Sequence, residues 1–263
     1  MTWPAELLGL AAGLLIAVVT TPVGVSGAVF MLPVQLSVLD VPSPAVTPTN
    51  LLFNVVATPG ALLRYHRQGT LSGPLTRQLV AGTMPGVVAG AVIRVYAVPG
   101  PRVFQLLVAA FLLPLGCWLA ARTLFPPPAP APASGALSGR TATGLALVVG
   151  VVGGIYGIGG GSILGPVLTG RGLPVTTVAP AALASTFLTS VTGAITYALL
   201  AMINRGGTIA PDWPLGLACG AGGLIGGYIG ARLQPRLPDK ALRLLLAAVA
   251  IALAALYIAQ SLP

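Results

Sequence analysis

The chain has 263 residues, of which 56% are apolar and only 6% charged. A soluble domain carries about 25% charged residues, so a soluble globular enzyme, a disordered chain and a secreted disulfide scaffold are excluded, and a polytopic membrane protein remains. The net charge of +9 fits basic membrane loops; no nucleic-acid partner is expected, because no basic run is interleaved with aromatic residues.

The chain begins MTWPAELLGLAAGLLIAVV, an apolar run without a positive n-region or a clear cleavage site. It is read as part of the mature protein. The first apolar segment, Glu6–Leu39, has 34 residues. As one helix it would measure about 51 Å, against a hydrocarbon core of about 30 Å. Thr20–Gly27 interrupts it. Three further segments follow at Val46–Leu63, Leu79–Val98 and Val103–Leu124. The Pro/Ala repeats and Ser/Gly end of Pro126–Arg140 then read as a linker. Beyond it come Thr143–Leu168, interrupted at Gly153–Ser162, then Val175–Ile203, Trp213–Leu233 and Leu242–Ile258.

The order repeats. Gly24-Val-Ser-Gly27 before AVFMLPV matches Gly157-Ile-Gly-Gly160 before GSILGPV, at an offset of 133. Pro33 and Pro166 each sit nine residues after the first glycine. RVFQLLVAAF from Arg102 matches KALRLLLAAV from Lys240, at an offset of 138. The expected fold is therefore all-α and polytopic, with two homologous four-segment halves. The division is 1–125 for the N-terminal repeat, 126–140 for the linker and 141–263 for the C-terminal repeat.

The basic residues bear on topology. With eight simple crossings they divide 6 to 7 between the two sides. If each interrupted segment is a hairpin, Arg64, Arg67, Arg77, Arg122, Arg140, Arg171, Arg232, Arg236, Lys240 and Arg243 share one side. Only Arg94, Arg102 and Arg205 lie opposite, a division of 10 to 3 that suits the positive-inside rule. Each half then makes an odd number of crossings, so the repeats are inverted. Eight spans in parallel repeats is the alternative.

Two features point to binding. A glycine-rich break frees backbone N–H groups that protein, water or substrate must satisfy. A helix restarting there aims its positive end at the gap, and small residues let an anion approach. Ser26 and Gly27 fit this before AVFMLPV, as do Gly159, Gly160, Gly161 and Ser162 before ILGPVL. The next helix in each half carries a polar face: Thr47, Asn50, Asn54 and Thr58, then Thr186, Thr189, Ser190, Gly193 and Tyr197. Small-residue helix packing and interhelical hydrogen bonds are the competing readings. Pro48 and Pro59 are expected to add bends.

The acidic residues Glu6, Asp40, Asp212 and Asp239 lie near predicted span ends or in loops, and the single histidine, His66, falls in a predicted RYHRQG loop. No proton relay, catalytic triad or metal cluster is expected, and no cofactor. Cys117 and Cys219 lie in apolar stretches without a Cys-x-x-Cys pair and read as buried small hydrophobes.

The second half, from GIYGIGGGSILGPVL through TFLTSVTGAITYALL, resembles the TauE/SafE sulfite exporter family, also called the toluene-sulfonate uptake permeases. VGVSGAVFMLPV, the Thr49–Asn50 pair and the Arg64–Gly69 stretch look like the family's first copy, and GLIGGYIGARL extends the likeness. Ser26 and Ala28 stand where the family often has glycines, and the linker is unusually rich in proline. The resemblance implies a multi-pass permease of the bacterial inner membrane, with sulfite or a sulfonate as its small anionic partner alongside the lipid bilayer. Export is the favoured direction, since an anion leaves a negative interior downhill. Uptake of a sulfonate or other small organic anion is the alternative; a membrane-embedded enzyme or assembly factor is the reading from another class. Homo-oligomerisation stays open at this point.

Overall fold

The computed structural model describes residues 3–23, 25–67, 73–98, 100–125, 139–170, 175–204, 209–233 and 239–261. Among them every regular element is an α-helix. In the first half these are α1 (Trp3–Val23), α2 (Ala28–Ser37), α3 (Ser43–Ala57), α4 (Pro59–Arg67), α5 (Pro74–Tyr96) and α6 (Pro101–Leu124). The second half comprises α7 (Gly139–Tyr156), α8 (Gly161–Gly170), α9 (Val175–Ile203), α10 (Trp213–Leu233) and α11 (Asp239–Ser261). Five stretches are long and apolar enough to cross a membrane: Pro4–Thr21, Pro74–Tyr96, Pro101–Leu124, Pro180–Ile203 and Lys240–Gln260. Residues 126–138 of the expected linker, and Arg171, Arg205 and Arg236, lie outside the described residues.

Both over-long segments divide at the expected breaks. The first turns back on itself. Gly27 lies against Ile16 and Thr20, and Leu39 reaches Gly9, so α2 runs antiparallel to α1. In the second, Gly153 abuts Gly159 and Gly160, and Leu164 and Leu168 of α8 share a core with Val149 and Ala146 of α7. The second segment differs between the halves. Pro59 has no N–H and opens α4 after Thr58, whereas α9 continues through Pro180. The predicted RYHRQG loop is corrected at its start: Arg64–Arg67 belong to α4, with His66 exposed. The local helix signal of GALLRYHR outlasts the apolar run that marked the predicted span. A second correction concerns Cys117, which is exposed on α6, while Cys219 is buried.

Two glycine stripes bring the halves together. A Cβ on Gly222, Gly226 or Gly230 of α10 would come within 1.9, 2.2 or 2.7 Å of the carbonyl oxygens of Leu10, Leu14 and Val18 on α1. On α5, a Cβ on Gly82, Gly86 or Gly90 would come within 2.6, 2.3 or 2.2 Å of the Thr143, Leu147 and Val151 oxygens of α7. Only residues without a side chain permit this backbone approach, which replaces hydrophobic drive inside lipid with close packing. Both sets of contacts advance in step along the two chains, so α1 is parallel to α10, and α5 to α7.

Other contacts complete the helix directions. Leu52, Val56 and Gly60 meet Gly216, Gly220 and Leu224 in order, so α3 is parallel to α10. Thr83 pairs with Ser185 and Val87 meets Gly193, so α5 is parallel to α9. Leu51 faces Gly193 and Thr47 neighbours Tyr197, so α3 and α9 are antiparallel. Helices α6 and α11 pack together outside this centre. Large apolar residues such as Leu7, Leu15, Leu106, Val148, Leu199 and Leu245 point outward, as a lipid-facing surface requires, whereas hydroxyls and amides of α3, α5 and α9 are buried.

Candidate functional site

Two polar clusters form where the hairpin turns meet the polar helices. In the first, the Ser26 hydroxyl donates to Asn54 Oδ1 at 3.2 Å and accepts the Ala28 N–H at 3.3 Å. Asn50 Nδ2 donates to the Ala28 carbonyl at 2.9 Å. Gly27 packs against Phe53 and Thr20. Thr58 caps α3 one turn beyond Asn54, to whose carbonyl its N–H donates at 3.0 Å.

The second cluster has the same plan. Gly157 and Gly159 both have φ of +72°, a left-handed turn that glycine adopts without penalty. The Gly160 N–H donates to Thr189 Oγ1 at 3.2 Å. Gly159 lies against Thr186 and Ser190, and Gly161 against the Ala182 carbonyl and Thr186. Ser162 turns inward and donates to the Ile158 carbonyl at 2.5 Å.

The correspondence is residue by residue. Ser26 meets Asn54 as Gly159 meets Ser190, and Gly27 meets Phe53 as Gly160 meets Thr189. The offset is 133 in the turns and 136 in the helices. The structure therefore brings Ser26, Gly27, Asn50 and Asn54 together, and separately Gly159, Gly160, Gly161, Thr186, Thr189 and Ser190. Helix α3 links the two groups: Thr47 Oγ1 donates to the Ile155 carbonyl at 3.2 Å, just before the second turn.

Protein already occupies the space that a side chain at Gly160 or Gly161 would need. A Cβ at Gly161 would fall 1.6 Å from the Ala182 oxygen, and one at Gly160 would fall 2.5 Å from the Thr83 methyl. Their lack of side chains thus serves helix packing. What points to a ligand is the polar capacity left over. Asn50 Oδ1, Asn54 Nδ2, Ser190 Oγ and Thr20 Oγ1 are buried without a hydrogen-bond partner. Each such atom costs about 1–3 kcal/mol, and buried polar groups are ordinarily satisfied by protein or water.

The sequence reading missed Thr83, Ser185 and Thr20. Thr83 bonds the Leu79 carbonyl at 2.7 Å and Ser185 at 3.0 Å, with its methyl against Gly160. Its one signal was a lone hydroxyl inside the Gly82–Gly90 stripe. Arg94 was also missed. It was read as a charge at the end of a span, yet its side chain is 1% exposed.

The clusters offer hydroxyls, amides and backbone N–H groups. This donor set can hold and orient a small anion, with no carboxylate or histidine in either cluster. Among the described residues no three His, Cys, Asp or Glu come together.

The family model described as Sulfite exporter TauE/SafE matches residues 9–257. No curated protein and no solved structure matches the chain.

Proposed function

The chain belongs to the TauE/SafE sulfite exporter family, and from that membership we propose that it exports sulfite or an organosulfonate across the bacterial inner membrane. At the coarser level it is a multi-pass membrane transporter, in keeping with the family and with its five apolar spans. The observation that carries the finer reading is the pair of hairpin turns, each set against a polar helix with buried, unpartnered side-chain atoms. Asn54 Nδ2 offers N–H donors at the first turn and Ser190 Oγ a hydroxyl at the second. An oxyanion satisfies such donors directly.

The two parts 1–125 and 141–263 serve as inverted repeats in this reading. The antiparallel α3 and α9 support it, as does the matching of α1 on α10 with α7 on α5. Ser26, Gly27, Asn50, Asn54 and Thr58 then line one side of the path. Gly159, Gly160, Gly161, Ser162, Thr186, Thr189 and Ser190 line the other, with the anion bound near the midplane.

Export follows from the membrane potential. One charge crossing 100 mV is worth about 2.3 kcal/mol, so a monovalent anion leaves a negative interior without a coupled proton. The test is flux from proteoliposomes loaded with sulfite, taurine, sulfoacetate or sulfate under an imposed potential. Movement of a sulfur anion above that in protein-free vesicles is expected; no such movement overturns the proposal.

A further inference from the structure

We propose that Arg94 forms an anion-binding station beside the second hairpin turn, its guanidinium Nε–H taking an oxygen of the passing anion. This deepens the transport reading and rests on it. Arg94 is the one charged side chain among the described buried residues. Its NH1 donates to the Val98 carbonyl, and its NH2 to the Ser43 carbonyl and, at 2.8 Å, to Ser43 Oγ. The guanidinium carbon sits 3.9 Å from the centre of the Phe104 ring. Nε is buried and has no partner.

None of these neighbours is an acid. Carbonyl dipoles and a ring face offset part of a buried positive charge, but burying a cation without a counter-charge is strongly unfavourable. A helix-to-helix tie alone needs no cation here, since a neutral donor also reaches carbonyls. A fixed positive charge whose Nε–H has no partner suits a mobile anion.

Its place in the fold fits that role. Gly82, Gly86 and Gly90 pack on residues 146, 150 and 154 in register. Phe104, whose ring lies against the Arg94 guanidinium, also meets Tyr156, the last residue of α7, with ring centroids 6.1 Å apart, and Gly157 packs on the Thr47 carbonyl. Tyr197 donates its hydroxyl to the Gly154 carbonyl at 2.9 Å. Thr47, one turn along α3 from Ser43, holds the next carbonyl, of Ile155. The charge thus lies near the Tyr156–Gly157 end of the turn, whereas Thr189 and Ser190 meet its Gly159–Gly160 end.

The experiment compares Arg94→Gln and Arg94→Lys with wild type in proteoliposomes, using a monovalent sulfonate and divalent sulfate. Apparent melting temperatures in detergent control for folding. Arg94→Gln is expected to raise KM for the sulfonate at least tenfold, and for sulfate more. Arg94→Lys, which keeps the charge and loses Nε–H, is expected to raise KM about threefold. Unchanged KM in both variants, with any loss confined to kcat or melting temperature, assigns Arg94 a structural tie and overturns the inference. Should Arg94→Gln fail to fold, Arg94→Lys decides alone: unchanged KM overturns the station. Wild-type vesicles that pass neither anion overturn the transport reading itself, a result read before any variant is compared.

Discussion

Gly222→Ala tests the glycine stripe that joins the halves. The added Cβ would lie 1.9 Å from the Leu10 oxygen, 2.8 Å from the Leu10 carbonyl carbon and 2.9 Å from the Leu14 nitrogen, all backbone atoms. No rotamer relieves such a contact. Restoring an ordinary separation requires α1 and α10 to part by about 1.5 Å, which also loosens Gly226 on Leu14 and Gly230 on Val18. Overpacking of this kind costs about 1–3 kcal/mol, against which alanine returns about 0.5–1 kcal/mol of helix propensity. Contacts with three backbone atoms put the cost at the upper end, so the net loss is about 2–2.5 kcal/mol; at about 2–4 °C per kcal/mol, the apparent melting point falls by roughly 4–10 °C. Gly227→Ala is the internal control. Its Cβ meets only Thr21 Oγ1, at 3.6 Å, so it is expected to melt at or above wild type. Gly86→Ala, at 2.3 Å from the Leu147 oxygen, is expected to behave like Gly222→Ala. The assay is tryptophan fluorescence of purified protein in detergent during heating, with size exclusion to confirm monodispersity. A Gly222→Ala protein melting at or above wild type refutes the packing argument.

Other perturbations address the site and the topology. Ser190→Ala removes an unpartnered buried hydroxyl and is expected to raise stability by about 1 kcal/mol while raising the KM for a sulfonate severalfold; a variant with unchanged KM and lower stability contradicts the binding role. Asn54→Leu deletes the spare Nδ2 donors together with the Ser26 contact, and flux is expected to fall at least tenfold with the protein still folded. The hairpin topology puts Asp40 outside and the linker inside, so an impermeant thiol reagent is expected to label cysteine placed at position 40 and miss position 130 in intact cells; labelling of both rejects that orientation. An outside-positive potential is expected to speed sulfonate exit without a proton or sodium gradient, and replacing sodium with a large organic cation is expected to leave the flux unchanged. Dependence on either gradient would make the uniport mechanism wrong.

Composition alone placed this chain in a membrane, because 6% charged residues cannot coat a soluble globule, and the 34-residue segment Glu6–Leu39 had to break because it exceeds one span of ordinary thickness. The landmarks Gly24–Gly27 and Gly157–Gly160 pointed to two related halves, and the spacing of Asn50 and Asn54, and of Thr186 and Ser190, revealed the polar faces, since helical period is a local property of the chain. Which helices meet is not local. Gly82, Gly86 and Gly90 look alike whether they face α7 or lipid, and only packing identifies their carbonyl partners. The return of α2 along α1 rests on the Leu39–Gly9 contact, thirty residues apart. Arg94 shows the limit most clearly. An arginine near the end of an apolar segment ordinarily marks an aqueous boundary, but the start of α3 and the Phe104 ring of α6 close over it. Periodicity describes one helix at a time; burial and hydrogen-bond satisfaction depend on what the other helices place beside it.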